Sequence, residues 1–188
     1  LRHLDSYLQG HPNMNTVPGV DMSTGSLGQG ISAAAGMAKG AKYLHQDVNV
    51  YTLLGDGEIA EGEVWEAMLF AAHYKLDNFC MIIDLNGLQI DGRTCDVMNT
   101  APVDEKAKAF GFQTISIDGH DFDAIASALD TAKTVKGQPS AIIMKTVKGK
   151  GISFMENNAG WHGKAPNDEQ YEQGKAELEA KLAELEGK

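Results

Sequence analysis

Two short polar turns carry the side chains best suited to chemistry. Asp56 lies between two glycines in Gly55-Asp56-Gly57, and Asn86 follows 30 positions later, directly after the apolar run FCMIIDL. Carboxylate and amide oxygens are hard ligands, which suit Mg²⁺ or Ca²⁺ rather than zinc or copper. Because Mg²⁺ is usually held by one or two protein oxygens together with phosphate oxygens, the pair indicates a cation bridging the protein and a pyrophosphate.

A strand–helix–strand unit over residues 48–92 is predicted to position these side chains. The β-branched runs VNVYTLL and FCMIID flank a helix-length segment, a pattern typical of parallel strands joined by a right-handed crossover. Open α/β sheets bind ligands at the carboxyl ends of their strands, so Asp56 and Asn86 are expected to converge. A helix predicted to begin near Glu58 would point its N-terminus at the same place and favour a phosphate there.

The rest of the chain alternates between strand and helix patterns. This alternation predicts one domain over residues 1–188, of α/β class, with a doubly wound and mostly parallel sheet and helices on both faces. The long Gly- and Asn-rich stretch 148–166 contains Trp161-His162 and is predicted to be a functional loop. The predicted elements are a small-residue helix ending near 45, helices 58–76, 104–110, 121–136 and 168–186, and strands 112–117 and 140–147.

Composition narrows the class of protein. The 188 residues are 43% apolar and 22% charged, with a net charge of −10, which argues against non-specific binding of nucleic acid or anionic membranes. There is no apolar run of transmembrane length and no signal peptide. The two cysteines, Cys80 and Cys95, do not make a disulfide framework, so a cytoplasmic location is expected.

Several further motifs accompany the Asp56 turn. In chain order they are GHP at 10–12, PGV at 18–20, TGSLGQG at 24–30, GDG-x-x-x-EG at 55–62, DGHD at 118–121, KTVKGKG at 145–151 and GWHG at 160–163. The GDG turn with its spaced Asn resembles the thiamine diphosphate motif. The whole series resembles the amino-terminal, pyrophosphate-binding domain of transketolases, and the resemblance covers essentially the entire chain.

The resemblance implies a cofactor and its ligands. Thiamine diphosphate would bind with Mg²⁺ or Ca²⁺, and the cation would be held by Asp56, Asn86 and the Leu88 carbonyl. Ile90 is expected to pack on the cofactor rings, with plain core packing as its alternative. The implied cofactor contacts are Gly25, Ser26, Leu27, Gly55, Asp56, Gly57, Glu58, Asn86, Ile90 and His162.

Four side chains carry the catalytic roles that the resemblance implies. His11 would reach the cofactor and the sugar substrate, and His162 would lie near the diphosphate and the reaction centre. Glu61 and Glu66 would lie at a subunit interface that links two cofactor sites. Simpler alternatives are loop histidines without a role and a glutamate that only complements the helix dipole.

Half of the expected site is not found in the sequence. The chain starts at Leu1 and is expected to lack an upstream segment, and nothing in it resembles the pyrimidine-binding half. It therefore resembles the amino-terminal subunit of a split transketolase, inactive alone, which transfers a two-carbon ketol unit between sugar phosphates. A second subunit would carry the pyrimidine-binding and carboxy-terminal domains. A heterotetramer would form through the helix after GDG, where an apolar surface around Trp65 and Met68 is expected.

Other functions fit part of the same pattern. Deoxyxylulose phosphate synthase and the decarboxylating component of a 2-oxo acid dehydrogenase use the same cofactor. A non-catalytic Rossmann-type nucleotide-binding module is suggested by Gly28-x-Gly30-x-x-Ala33. That fingerprint requires a preceding buried strand and an acidic residue about 20 positions further on, and the sequence around it offers neither.

Overall fold

A four-stranded parallel sheet forms the centre of the molecule. The computed structural model describes residues 3–187. The sheet has the order β1-β2-β6-β5, and a short antiparallel hairpin, β3 with β4, follows β2. The strands are β1 (Val50–Gly55), β2 (Phe79–Leu85), β3 (Leu88–Gln89), β4 (Gly92–Arg93), β5 (Gln113–Asp118) and β6 (Ser140–Lys145).

One face of the sheet packs against three helices and holds the main core. These helices are α1 (Gln29–Tyr43), α2 (Gly62–His73) and α4 (Val103–Ala109), and the four-residue helix α3 (Thr94–Val97) precedes α4. Small residues line α1, which lets its backbone approach the sheet closely. The core includes Ile31, Ala34 and Ala38 of α1, Val64, Ala67, Met68 and Ala71 of α2, Val103 and Ala107 of α4, and Leu54, Phe79, Met81, Ile83, Ala141 and Ile143 of the sheet.

The opposite face is covered by α5 (Phe122–Thr134), whose Ala128 and Ala132 pack on Cys80 and Ile142. The first turn of α5 is capped by Asp121, which accepts hydrogen bonds from the amides of Asp123 and Ala124. Helices thus lie on both faces of a parallel sheet. The doubly wound α/β fold predicted from the sequence is confirmed.

The helix predicted over 58–76 is wrong at both ends. Glu58–Ala60 forms one 3-10 turn, the chain is extended at Glu61 with ψ 132°, and α2 runs only from Gly62 to His73. The apolar periodicity continued across the break, which is why the sequence pattern did not reveal it. The N-terminus expected beside Asp56 therefore lies four residues further along the chain.

The exposed face of α2 also differs from the prediction. Met68 is only 2% exposed because it faces the same core as Val64, four residues before it. Trp65 is half-buried against Phe110, with 5.3 Å between ring centroids. The apolar side chains that α2 presents outward are Leu69 and Phe70, so the expected surface around Trp65 and Met68 lies instead at these two residues.

The last helix, α6 (Asp168–Glu186), packs on the long loop after β6. Its start is fixed by the predicted capping box. The Asn167 side chain accepts from the Gln170 amide at 2.9 Å, and the Gln170 side chain accepts from the Asn167 amide at 3.0 Å. Over residues 3–187, none of the helices has the length and apolar character needed to cross a membrane.

Candidate functional site

The two polar turns meet at one edge of the sheet. β1 and β2 are parallel and in register, with Gly55 opposite Asp84, so Asp56 and Asn86 each follow the end of a neighbouring strand. The Asp56 carboxylate accepts a hydrogen bond of 2.5 Å from the Gly87 amide. The Asn86 side-chain oxygen accepts from the Leu88 amide at 2.9 Å. The convergence expected of strand ends is present, while the ligand roles stay predictions.

Asp56 is the one carboxylate of this edge that is almost fully buried, with 1% of its surface exposed. Burial is the largest influence on it and raises its pKa above the usual aspartate value. The amides of Gly87 and Gly57 act in the opposite direction, and the neighbouring Asp84 carboxylate adds to the increase. A buried carboxylate beside a second acid is an environment that a bound cation would stabilise.

The donor set at this edge fits a hard cation that also binds phosphate. Within residues 3–187, no group of three His, Cys, Asp or Glu side chains is arranged to hold a metal. A cation at Asp56 would therefore need amide, main-chain and phosphate oxygens to complete its shell, as Mg²⁺ commonly does. Asn86 and the carbonyl of Leu88 are the protein oxygens predicted for that purpose.

Glu58 ties two of the predicted cofactor-binding segments together. Its carboxylate accepts from the Gly28 amide at 3.0 Å and from the Gly55 amide at 3.1 Å. Gly28 directly precedes α1, so the carboxylate also lies at the positive end of that helix. Both oxygens of Glu58 are thus engaged by the protein, which fixes the TGSLGQG loop against the end of β1.

His11 lies directly on the glycine of the same loop. A methyl group placed on Gly25 would lie 2.6 Å from two ring atoms of His11, and Gly25 has a φ of +134°. Only glycine allows both this backbone conformation and this approach. Two further predicted contacts, Ser26 and Leu27, are exposed beside it. His11 and the loop, distant in sequence, therefore form one surface.

The hairpin after Asn86 covers the glycine that follows Asp56. A Cβ atom on Gly57 would lie 2.8 Å from the Cβ of Gln89, so a side chain there would collide with the hairpin. Ile90 lies in the turn between β3 and β4 and is 67% exposed. The alternative of core packing for Ile90 is therefore wrong, and its predicted contact with the cofactor rings stays a prediction.

The loop after β6 begins at the same edge, through residues of two motifs to which the sequence assigned no role. The Thr146 hydroxyl donates a short hydrogen bond to the Asp84 carboxylate, and its amide donates to the Leu85 carbonyl at 3.3 Å. The Val147 amide donates to Nε2 of His120 at 2.8 Å, which assigns the ring proton of His120 to Nδ1. The DGHD motif therefore anchors this loop rather than contributing a free histidine.

Two residues of this loop remain available for a ligand. Lys148 is half-buried, and among the described residues no carboxylate forms an ion pair with it, whereas Lys150 lies 3.9 Å from Glu156. His162 is exposed at the end of a 3-10 turn, Ala159–Trp161. In the part of the chain that the structure describes, no hydrogen bond links its side chain to Asp56 or Asn86.

The two glutamates assigned to an interface lie on the surface of α2. Glu61 precedes its first turn, and a Cβ on Gly28 would lie 2.8 Å from that of Glu61. Glu66 is exposed and borders a shallow cavity of about 240 Å³ between α1 and α2, together with Ser32 and Phe70. Both side chains are accessible to another molecule, as an interface would require.

Comparisons with known proteins all identify the same family. The family described as "Transketolase, thiamine diphosphate binding domain" matches residues 1–184. The 6-deoxy-6-sulfo-D-fructose transketolase subunit of a Clostridium species is 44% identical over 179 residues, covering 95% of this chain and 65% of that protein. One of the subunits of the apulose-4-phosphate transketolase of Actinobacillus succinogenes is also 44% identical, covering 94% of this chain and 64% of that protein.

Solved structures agree with the sequence relatives. Transketolase from Campylobacter jejuni superposes with a TM-score of 0.85 and 38% identity, over 93% of this chain and 28% of that one. Human transketolase is 46% identical over 171 residues, which is 26% of its length. The chain thus spans about two thirds of the relatives that are themselves subunits and about a quarter of the longer transketolases.

Proposed function

The chain belongs to the transketolase family, and from that premise we propose that it is the diphosphate-binding subunit of a two-subunit transketolase. The reaction would transfer a two-carbon ketol unit from a ketose phosphate to an aldose phosphate. The observation that carries this proposal is the buried Asp56 carboxylate at the end of β1, joined to the turn that contains Asn86. Two relatives of equal identity are named for different sugars, so the proposal is limited to the class of substrate.

Asp56, Asn86 and the Leu88 carbonyl would hold Mg²⁺ or Ca²⁺ against the diphosphate. When bound, thiamine diphosphate supplies the stabilisation of a carbanion, which no protein side chain provides. The residues of this chain would bind and orient it. Gly25 and the exposed Ser26 and Leu27 would contact the cofactor with main-chain groups, while Glu58 holds their loop in place.

Three residues would complete the charge balance and the polar contacts around the bound cofactor and substrate. A diphosphate carries more negative charge than one divalent cation neutralises, and Lys148 is a half-buried cation without an ion-pair partner among the described residues. We assign it to the phosphates, next to His162. His11, packed on Gly25, would face the substrate side of the cofactor and bind sugar hydroxyls.

A second polypeptide would supply the pyrimidine-binding half of the site. Relatives that cover this chain almost completely are named as subunits of transketolases. The outward face of α2 carries Leu69, Phe70 and Glu66, and exposed apolar groups beside a cavity favour association. We propose that two copies meet there, each with one partner polypeptide, as a heterotetramer. A cytoplasmic location stays a prediction from the cysteine content.

Titration calorimetry of the chain and of its complex with the partner polypeptide tests the cofactor assignment. Thiamine diphosphate is expected to bind only with Mg²⁺ or Ca²⁺ present, and NAD is expected not to bind. The competing nucleotide-binding function predicts that NAD binds and thiamine diphosphate does not. The structure argues against that function, because residues 13–28 contain no strand before the Gly28 fingerprint. Binding of NAD without metal, and none of thiamine diphosphate, would refute the proposal.

A further inference from the structure

The terminal helix, α6, is hydrogen-bonded to the long loop after β6 through one acidic side chain, and this contact is called the grip. The Glu177 carboxylate accepts from the Ser153 amide at 2.7 Å and from the Ser153 hydroxyl at 2.6 Å. Gln173, one turn earlier on α6, donates to the same carboxylate at 2.9 Å. Ser153 donates one hydrogen bond to each oxygen of the Glu177 carboxylate. Because the two bonds must form together, they constrain both the position and the orientation of the loop at Ser153.

The helix packs against the loop at this point. Gly174 is the one buried residue of α6, and a Cβ on it would lie 3.5 Å from Ile152 and 3.8 Å from Phe154. These are ordinary van der Waals distances, so the helix and the loop are in direct contact here. The grip of Glu177 is therefore part of a packed contact and not an isolated surface bond.

The contact continues from Ser153 to the predicted active-site histidine. Phe154 accepts a hydrogen bond of 2.8 Å from the Trp161 indole, and the two rings lie 5.2 Å apart. The Lys164 ammonium lies 4.8 Å from the centroid of the Trp161 ring. His162 is the next residue after Trp161. Contacts thus run from α6 through the loop to Trp161, the residue directly before His162.

We propose that Glu177 is a positioning residue for His162, and that α6 sets the location of the Trp161–His162 turn. The proposal rests on the function proposed above for His162. Glu177 is not needed to form α6, which has its own capping box and a Lys175–Glu179 pair at 3.8 Å. Its partners, apart from Gln173, belong to the loop.

The electrostatics of Glu177 agree with a permanent grip. Hydrogen bonds from the Ser153 side chain and amide, and from Gln173, lower the pKa of Glu177 below the usual glutamate value. The carboxylate therefore stays ionised, and accepts both bonds, throughout the neutral range.

Hydrogen exchange of the full chain tests the grip itself. Glu177→Ala should speed exchange of the amides of residues 153–162 about tenfold or more, while the central sheet is unchanged. Glu172→Ala is the matched control, because Glu172 is exposed on the same helix and forms no ion pair or side-chain hydrogen bond among the described residues. Glu177→Gln keeps one acceptor oxygen and should fall between the two. Unchanged exchange in Glu177→Ala would overturn the proposal.

A double-mutant cycle tests the link to His162. In the complex with the partner polypeptide, Glu177→Ala and His162→Ala should each weaken thiamine diphosphate binding in Mg²⁺ by about fivefold or more. The double variant should bind like His162→Ala alone, because Glu177 acts only through that residue. If the affinity losses of the two single variants multiply in the double variant, Glu177 does not act through His162 and the positioning role is wrong. If the wild-type complex binds no thiamine diphosphate, the proposed function fails, and the exchange measurement still decides whether Glu177 holds the loop.

Discussion

The carboxylate of Asp56 accepts its 2.5 Å hydrogen bond from the main-chain amide of Gly87, across the ends of two neighbouring strands. One side chain thus closes the turn after β2 and presents the charge that a metal would use. These two roles depend on different properties of the carboxylate, its shape and its charge. Variants at Asp56 can separate them.

Asp56→Asn keeps an oxygen for the Gly87 amide and removes the charge. The folded chain without ligands should be at least as stable as the wild type, since burial disfavours the charge. Metal-dependent binding of thiamine diphosphate should fall by more than about 100-fold, because loss of even an outer partner of a metal costs 10–100-fold. Differential scanning calorimetry measures the stability, and titration calorimetry measures the binding of thiamine diphosphate.

Asp91→Asn is the control for this variant, because Asp91 is exposed in the β3–β4 turn. It should change neither stability nor cofactor binding. If Asp56→Asn binds cofactor and metal as the wild type does, Asp56 is not a metal ligand.

The contact of His11 with Gly25 predicts a second outcome. Gly25→Ala would put a methyl group 2.6 Å from the imidazole, so the ring must move and cofactor affinity should fall. Gly19→Ala also places an alanine at a positive φ, +84°, but no atom lies within 4 Å of the new methyl group. Both variants should lose about 1–2 kcal/mol of stability through strain. Only Gly25→Ala should lose affinity, and equal losses in titration calorimetry would contradict the placement of His11.

Asp77 predicts the pH dependence of stability. Burial alone would raise its pKa, but hydrogen bonds from Gly137 and Lys42, with the charge of Lys42, hold the pKa below the usual aspartate value. A carboxyl whose pKa is lowered by folding stabilises the protein above its unfolded pKa, near 3.9. That stability is lost as the pH falls from there through the lower folded value.

Asp77→Asn should therefore cost about 1 kcal/mol at neutral pH and reduce the slope of stability against pH below about 4. Asp130→Asn, which removes an exposed pair with Lys133 at 2.8 Å, should cost less than about 0.5 kcal/mol. Urea unfolding at pH 3 to 7 measures both. A loss that is the same at every pH would exclude the ionised carboxylate as its cause.

Self-association is expected at the outward face of α2. Leu69→Ser together with Phe70→Ser should convert a dimer of this chain into a monomer, because both side chains are exposed beside Glu66. Phe122→Ser is the control, since Phe122 is 85% exposed on α5 at the other face of the sheet. Sedimentation velocity distinguishes the two. A wild-type chain that is monomeric at every concentration would disprove this interface.

The strand ends were predictable from the sequence, and the connections between them were not. Sequential strands of a strand–helix–strand unit are often neighbours in a parallel sheet, so Asp56 and Asn86 were expected at adjacent strand ends. The bond between Thr146 and Asp84 joins residues 62 positions apart. No local pattern encodes such a pair, because it depends on which strands lie side by side.

Predictions near the site were wrong where side-chain contacts, and not the apolar periodicity of the sequence, determine the local structure. Glu58 turns its carboxylate onto the amides of Gly28 and Gly55, and the chain is extended at Glu61 before α2 begins. The apolar spacing is helical across that break, so it predicted one longer helix. For Ile90, core packing was the alternative to the predicted contact with the cofactor rings, and it is excluded because the residue lies in the exposed turn of a two-residue hairpin.

The most direct test of the central claim is the ketol-transferase activity of this chain with and without its partner. The chain is purified from the cells in which it occurs, as a complex and after separation, and supplied with thiamine diphosphate and Mg²⁺. The complex should transfer a two-carbon unit from a ketose phosphate to ribose 5-phosphate. The separated chain, and the complex carrying Asp56→Asn, should not. Sustained turnover by the separated chain, with no second polypeptide on a gel, would contradict the proposed division of the site between two polypeptides.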